Sequence, residues 1–498
     1  MGIKSFFSKY YAAFLVGKLR KAVSFPQKAQ NEVFRNLIKE GKKTLFGKDH
    51  NFHSISTYAD FKKEVPLVDF EGLKHYIEKV KQGQPDILWP GLPIYFCKTS
   101  GTTSGAKFIP ISKESIHNHI NSAKLALLSY VHETGKADFI DGKLIFLQGS
   151  PVLGETGAIS TGRLSGIVAH HVPSYLQKNR MPTFETNSID DWEQKVDSIV
   201  EETMTADLRL ISGIPSWVQM YFERLIEKTG EIDIRSIFPN FSLFVYGGVN
   251  YEPYRPIFDK LIGSKIPSVE TYPASEGFIA FQNSQKDKGL LLVINDGIFY
   301  EFIPSEEAHS ENPTRLSLNE VELNKNYAIV LNTNAGLWGY VIGDLVKFTS
   351  LKPYKIVVTG RIKHFTSAFG EHVIAEEVEG AIQVGLEKTK AQIKEFHVAP
   401  FISPEEGLPY HEWFIEFVNE PSDIDLFIKT VDEELQIRNP YYKDLIKGKI
   451  LRPLVITKIK PNGFIDFMKS RGKLGGQNKV PRLSDDRTIA KELEKYAI

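Results

Sequence analysis

The sequence predicts an α/β protein in two parts, and three observations carry that prediction. Up to about residue 277, buried-looking strands such as Phe241–Tyr246 and Val269–Tyr272 alternate with helical patterns, which implies a largely parallel sheet. From Leu290 the pattern turns to hairpins: Leu290–Ile294 and Ile298–Ile303 flank Asn295-Asp296-Gly297, so an antiparallel, barrel-like subdomain is expected. After Pro353 comes a strand and then a helix-strand-strand-helix-strand series, enough for a small, separate α+β domain. A boundary near Tyr354 gives domains of residues 1–354 and 355–498.

Composition narrows the class. The chain has 498 residues, 42% apolar and 24% charged, as in a soluble globular protein with ample core. Basic and acidic residues number 61 each, so no global field favours nucleic acid or an anionic membrane. The single cysteine excludes an internal disulfide and fits a reducing compartment. The apolar run Tyr10–Val16 is short and flanked by lysines, which predicts an amphipathic helix packed on the body rather than a signal peptide. No run approaches the roughly 20 apolar residues that span a bilayer. The expected location is the cytoplasm; the oligomeric state is not readable.

The elements follow in order. Val33, Phe34, Leu37 and Leu45 give a helical pattern over Phe25–Leu45, and Asp69 can cap a helix over Phe70–Lys81. A helix is expected over His117–Val131 and a strand over Lys143–Leu147. Residues 152–187 show no clear period and read as a long irregular segment of the kind that carries binding surfaces. Ser188 with Asp191 makes a capping-box-like start to a helix bearing Trp192, Val196 and Ile199. Leu208–Ile211 reads as a strand, and Pro215 opens the helix Ser216–Glu227. Ala328–Leu331 and Leu345–Phe348 look like antiparallel strands. In the last part, strand Lys355–Thr359, helix Ala375–Thr389, strands Phe396–Pro400 and Trp413–Phe417, helix Ile424–Ile437 under a Ser422 or Asp423 cap, strand Leu454–Ile459 and helix Phe464–Ser470 complete the chain.

Chemistry concentrates in one short run, Phe96-Cys97-Lys98-Thr99-Ser100-Gly101-Thr102-Thr103-Ser104-Gly105-Ala106-Lys107. Glycines let a backbone approach a phosphate and turn its N–H groups inward; hydroxyls and a lysine add hydrogen bonds and charge. The same run alone would also serve as a polar hairpin tip. Walker, dinucleotide-fold, nucleophile-elbow and zinc-protease motifs are missing. His170-His171 are adjacent and poorly placed to share a metal, so satisfied or surface histidines are expected. The rest is polar punctuation at strand ends. Gly247-Gly248 could pass beneath a purine, Tyr272-Pro273-Ala274-Ser275-Glu276 ends a buried strand on a carboxylate, and Tyr340-Val341-Ile342-Gly343-Asp344 puts a carboxylate just past a glycine.

Together these motifs resemble a known family. Phe96, Thr99–Ser104, Ala106 and Lys107 fit the AMP-binding signature of the adenylate-forming enzyme superfamily. Thr99–Lys107, Tyr272–Glu276 and Tyr340–Asp344, in that order, with the tail Gly476–Arg482, look like the auxin-responsive Gretchen Hagen family of acyl acid amido synthetases, its bacterial members in particular. Val341-Ile342 stand where that family usually has Arg-Val. The resemblance implies a large N-terminal domain of the adenylate-forming type, holding ATP and an acyl acid, and a mobile C-terminal lid. It implies that Thr99, Ser100, Gly101, Thr102, Thr103 and Lys107 belong to the phosphate loop, that Gly247 and Gly248 line the adenine pocket and that Tyr272 stacks on or flanks the base. Ser275 lies in the same motif; Glu276 would hold Mg²⁺, Asp344 would bind ribose, and Arg361 would belong to the hinge-side segment Gly360-Arg361. Lys479 would approach the phosphate as the catalytic tail lysine, with Lys473 as its rival.

The implied activity is activation of a carboxylic acid as an acyl-adenylate and transfer of the acyl group to an amino acid. A coenzyme A ligase sharing the first step, or a nucleotide-binding sensor without turnover, stands as the alternative. The small-molecule partners are an acyl acid and an amino acid whose identities the residues do not name.

Overall fold

A computed structural model describes the chain apart from residues 1, 100–106, 173–176, 249–250, 363–364, 367–372, 403, 405, 449, 476–478 and 485. The chain divides into two compact units. The first comprises 1–249, 262–342 and 346–357; the second comprises 250–261, 343–345 and 358–498. The two short excursions into the second unit are something a linear boundary cannot assign, because they depend on which core each segment packs against.

The first unit is built on a twelve-stranded mixed sheet. From one edge the order is Leu316–Ser317, Ile298–Pro304, Asn326–Thr333, Tyr340–Leu351, Tyr354–Arg361, Leu290–Leu292, Gly277–Gln282, Ser268–Ala274, Leu243–Gly247, Leu208–Ser212, Lys143–Phe146 and Arg180–Met181. The half from Ser268–Ala274 to Arg180–Met181 is parallel, as alternating helices and strands require. The other half carries the antiparallel pairings, including Ile298–Pro304 with Asn326–Thr333. A second sheet has the order Lys107–Ile111, Tyr95–Thr99, Ile159–Gly162, Gly154–Thr156.

Several local expectations hold closely. Helix Phe70–Lys81 begins under Asp69, whose carboxylate accepts from the N–H groups of Glu71 and Gly72, and it buries Leu73, Tyr76, Ile77 and Val80. Asp423 caps Ile424–Arg438 by accepting from Leu426 N, while Ser422 bonds to Thr389 O instead. Other expectations are corrected. The Phe25–Leu45 pattern is two helices, Pro26–Gly41 and Leu45–Asp49, the second capped by Thr44. Asp191 alone caps Trp192–Thr203; the Ser188 hydroxyl is spent on Phe184 O. The segment 152–187 is not irregular throughout: it holds Gly154–Thr156, Ile159–Gly162 and helix Leu164–Ala169.

The turn at Asn295-Asp296-Gly297 does not close a hairpin. Leu290–Leu292 pairs with Gly277–Gln282 and Tyr354–Arg361, and Ile298–Pro304 pairs elsewhere. The buried side chain of Gln30 explains why. Its Nε2 donates to Ile294 O at 2.7 Å and to Ile298 O at 2.9 Å, and its Oε1 accepts from Tyr300 N at 2.9 Å. Backbone groups that a hairpin ladder would use are satisfied by a helix 264 residues earlier.

The N-terminal helix, Ile3–Ser24, also departs from expectation. Ser5, Ala12, Val16 and Leu19 face the body, but the opposite side is apolar too, so the helix lacks the polar outer face of an amphipathic helix.

In the second unit, strands Gln392–Phe401, Tyr410–Asn419 and Val455–Lys458 form a sheet in that order, with the last pair parallel. Helices Ala375–Thr389 and Ile424–Arg438 share its core through Val378, Ile382, Phe427 and Val431. An unforeseen helix, Pro440–Lys447, starts under Asn439, which also donates to Glu377.

Candidate active site

In the first unit, Thr99 pairs with Lys107 at the end of an antiparallel ladder, so the signature run is the connection between two strands. Ser100, Gly101, Thr102 and Thr103 lie outside the described residues. Lys107 reaches back over the ring of Phe70, with Nζ 5.8 Å from its centre.

The base of this loop is tied to the second motif. Strand Ser268–Ala274 does not stop at Tyr272 but runs through Pro273-Ala274, and Ala274 pairs with Gly277. Ser275 and Glu276 are therefore the two-residue turn of a hairpin, both half-buried. The Cys97 thiol donates to Ser275 Oγ at 3.1 Å. Burial pushes that thiol up to about 12; Ser275 opposes the shift and the nearby Glu276 carboxylate adds to it. Asn118, 2% exposed, locks the returning strand by accepting from Phe278 N at 2.6 Å and donating to Phe278 O. Tyr272 itself is buried with Ile279, Ala280 and Leu292.

Gly247 ends the neighbouring strand at a tight approach. A Cβ there would lie 2.4 Å from Thr271 O, and Gly248 follows at φ +79°. Only glycine leaves that strand end flat, and Thr271 Oγ1 secures it by donating to Tyr246 O at 3.0 Å.

Sequence reading missed a cationic wall beside these elements. Ile159–Gly162 runs parallel to Tyr95–Thr99, with Gly162 opposite Cys97, which sets Arg163 next to the loop's first strand. Burial lowers the affinity of its guanidinium for its proton, and no acceptor reaches it among the described residues. Gly149 makes room for it: a Cβ there would lie 2.9 Å from Arg163 Cδ and 3.8 Å from Ser165 Oγ. That Ser165 hydroxyl is buried and has no hydrogen-bond partner among the described residues. Lys195, 2% exposed, donates to Gln148 O at 3.1 Å and Asn187 O at 2.5 Å, and burial pushes it down to about 8. A glycine-rich stretch was the available signal; which of its cations is left unpaired depends on folding. His170 and His171 have partners in Pro151 O at 2.9 Å and Tyr95 Oη at 3.1 Å.

In the second unit, Asp344 and Arg361 come together, Nε to Oδ1 at 2.7 Å, so two residues expected separately at a nucleotide pair with each other. Gly343, at φ +92°, makes the bend, and its carbonyl accepts from Ile362 N at 2.7 Å. Lys479 is exposed as a residue, yet its ammonium is pushed down to about 8. Desolvation is the main cause and Arg361 and Arg482 add to it, while Asp344 opposes the shift. Arg482 is buried and holds Glu379 at 2.7 Å, Glu395 at 3.3 Å and Tyr254 Oη at 3.1 Å, which fastens the tail and the 250–261 excursion to this unit. Lys473, the rival lysine, is half-buried and six residues before Lys479.

The fold resembles that of solved acyl-activating ligases. A crystal structure of a 2-hydroxyisobutyryl-CoA ligase in the postadenylation state aligns with a TM-score of 0.59 at 13% identity, over 95% of this chain and 92% of that one. The structure of a GH3.15 acyl acid amido synthetase aligns with a TM-score of 0.78 at 17% identity, over 96% of both chains.

The chain belongs to the GH3 family. Its N-terminal, central and C-terminal domains match residues 15–145, 291–361 and 376–488, together more than half of the sequence. Among relatives, an indole-3-acetic acid-amido synthetase of Arabidopsis thaliana is 21% identical over 94% of this chain and 90% of its own length. A jasmonoyl-L-amino acid synthetase of Nicotiana attenuata is 23% identical over 64% of this chain and 66% of its own.

Proposed function

We propose that this protein is an ATP-dependent acyl acid amido synthetase. It activates a carboxylic acid as its acyl-adenylate with release of pyrophosphate, then transfers the acyl group to an amino acid amine with release of AMP. The observation that carries the reading is the tie between Cys97 and Ser275, which holds the foot of the Thr99–Lys107 loop against the turn bearing Glu276 in a GH3-family chain.

A carboxylate is a poor acceptor for an amine because oxide would have to leave; adenylation supplies AMP as the leaving group. The first step needs alignment and charge stabilisation more than proton transfer. Thr99 with Ser100, Gly101, Thr102 and Thr103 grips the phosphates, and Gly247-Gly248 offers a flat backbone to the adenine. A single carboxylate suits Mg²⁺, which keeps most of its waters and needs only one or two protein carboxylates beside phosphate oxygens. Glu276, half-buried in a two-residue turn, would hold it, and the ion would supply charge neutralisation at the phosphates. Arg163, whose guanidinium meets no acceptor among the described residues, attracts the acid's carboxylate. Asp344 and Arg361 act as a pair toward the ribose side, and the second unit acts as the lid that carries Lys479. No helix among the described residues is long and apolar enough to cross a membrane; we assign the protein to the cytoplasm, where its one cysteine, a buried free thiol, stays reduced.

The test is acid-dependent ATP–pyrophosphate exchange over a panel of carboxylic acids, followed by an amine screen with mass analysis of products. Exchange with at least one acid and an amide product is expected. ATP binding without exchange would replace this reading with a sensor, and a coenzyme A thioester without amide would replace it with a ligase.

A further inference from the structure

The outward face of the N-terminal helix Ile3–Ser24 exposes several aromatic rings side by side. At 100° per residue, Phe7, Tyr10, Tyr11, Phe14, Lys18 and Lys21 fall on one stripe, opposite the buried Ser5, Ala12, Val16 and Leu19. Phe7 and Tyr10 are each 65% exposed and Phe14 58%, with Phe6 packed edge-on against Phe7 and Tyr10 at the stripe's margin. Single exposed apolar residues need no explanation, but a contiguous aromatic stripe does.

Charge selects its occupant. The helix carries Lys4, Lys9, Lys18, Arg20 and Lys21 and not one carboxylate. None of the five pairs with an acidic side chain among the described residues; Lys4 donates to Asn179, and Lys18 lies 4.4 Å from the ring of Phe14. The chain as a whole is neutral, so this is a local concentration of positive charge. A second copy of the same helix would bring cations against cations. An anionic surface that also accepts aromatic rings satisfies both halves of the stripe: rings enter the headgroup boundary while lysine stems lie along it with their ammonium groups in the polar layer.

We propose that this helix is a peripheral membrane-binding element, lying flat on anionic lipid with Phe7, Tyr10, Tyr11 and Phe14 at the headgroup boundary and Lys18 and Lys21 on the lipid charge. The helix lies along the bilayer and does not cross it. The inference is independent of the reaction assigned above.

The experiment is co-sedimentation of the full chain with phosphatidylcholine vesicles, with and without phosphatidylserine. Binding is expected only when phosphatidylserine is present, and it should fall with added salt. Lys18→Gln and Lys21→Gln should each weaken it about fivefold, as expected for one cation at an anionic surface. Phe7→Ser with Phe14→Ser should abolish it, with circular dichroism and thermal unfolding unchanged because both rings are exposed. Three results would overturn the proposal: no binding to either vesicle, equal binding by the Phe7→Ser/Phe14→Ser variant, or a concentration-dependent dimer in lipid-free solution that this variant dissolves.

Discussion

At the scale of single residues, the informative positions are cations whose environments differ from what their sequence neighbours suggest. Lys479 sits in a basic tail that composition alone would call solvated, yet desolvation and two arginines push its ammonium down to about 8. The sign of the consequence is fixed: the lysine is charged below that value and loses its charge as pH rises through it. If it supports charge developing on the phosphates, adenylation should fall as pH rises past about 8. Lys479→Arg should keep its rate at higher pH, and Lys479→Ala should be slower by roughly 10²–10³-fold with no such pH step. A pyrophosphate-exchange profile checks this; if Lys473→Ala reproduces the loss instead, the assignment is wrong. Arg163 makes a separate prediction. Removing a charge-assisted hydrogen bond costs about 1.5–3 kcal/mol, so Arg163→Gln should raise KM for the acid by roughly 10–100-fold while KM for ATP hardly moves. Equal effects on both substrates would take Arg163 out of the acyl pocket.

At the scale of elements, the first unit is locked by a buried ion pair that no motif announces. Arg315 donates to both oxygens of Glu301, at 2.9 and 2.8 Å, and to Val65 O at 2.5 Å. Tyr58 Oη and Asn332 Nδ2 complete the carboxylate's partners at 2.8 and 3.0 Å. The network joins the capped helix Tyr58–Glu64 to the antiparallel half of the sheet. Breaking a buried pair strands a charge, so Arg315→Met should cost about 3–5 kcal/mol. Urea unfolding of the variant measures it, and a loss below about 1 kcal/mol, the worth of an exposed pair, would mean that water reaches Glu301. Such a network was not legible beforehand, because Glu301 reads as an ordinary polar position between Tyr300 and Phe302. Nor was the Gln30 plug that prevents the expected hairpin. Caps, by contrast, are local, which is why Asp69 could be read directly and Asp423 narrowed to one of two adjacent residues.

At the scale of the whole molecule, the two units have separate cores and separate buried arginines, Arg315 in one and Arg482 in the other. Calorimetry should therefore resolve two transitions, with Arg315→Met lowering one and Arg482→Met the other. A single transition shifted equally by both would show one cooperative body.

What the sequence by itself determined is whatever nearest neighbours along the chain decide. Strand–helix alternation specified the parallel half-sheet, capping residues specified helix starts, and the Thr99–Lys107 run specified a polar connection between two strands. Family membership was legible for the same reason, since the motifs are short and keep their order. The tertiary structure alone decided which groups meet. It turned Ser275-Glu276 into a hairpin turn tied to Cys97, paired Asp344 with Arg361, buried Arg163 with no acceptor among the described residues, and drew 250–261 and 343–345 into the second unit. Each of these depends on contacts between residues far apart in the chain, and on which polar groups lose water when those contacts form. Neither quantity is encoded in a local pattern.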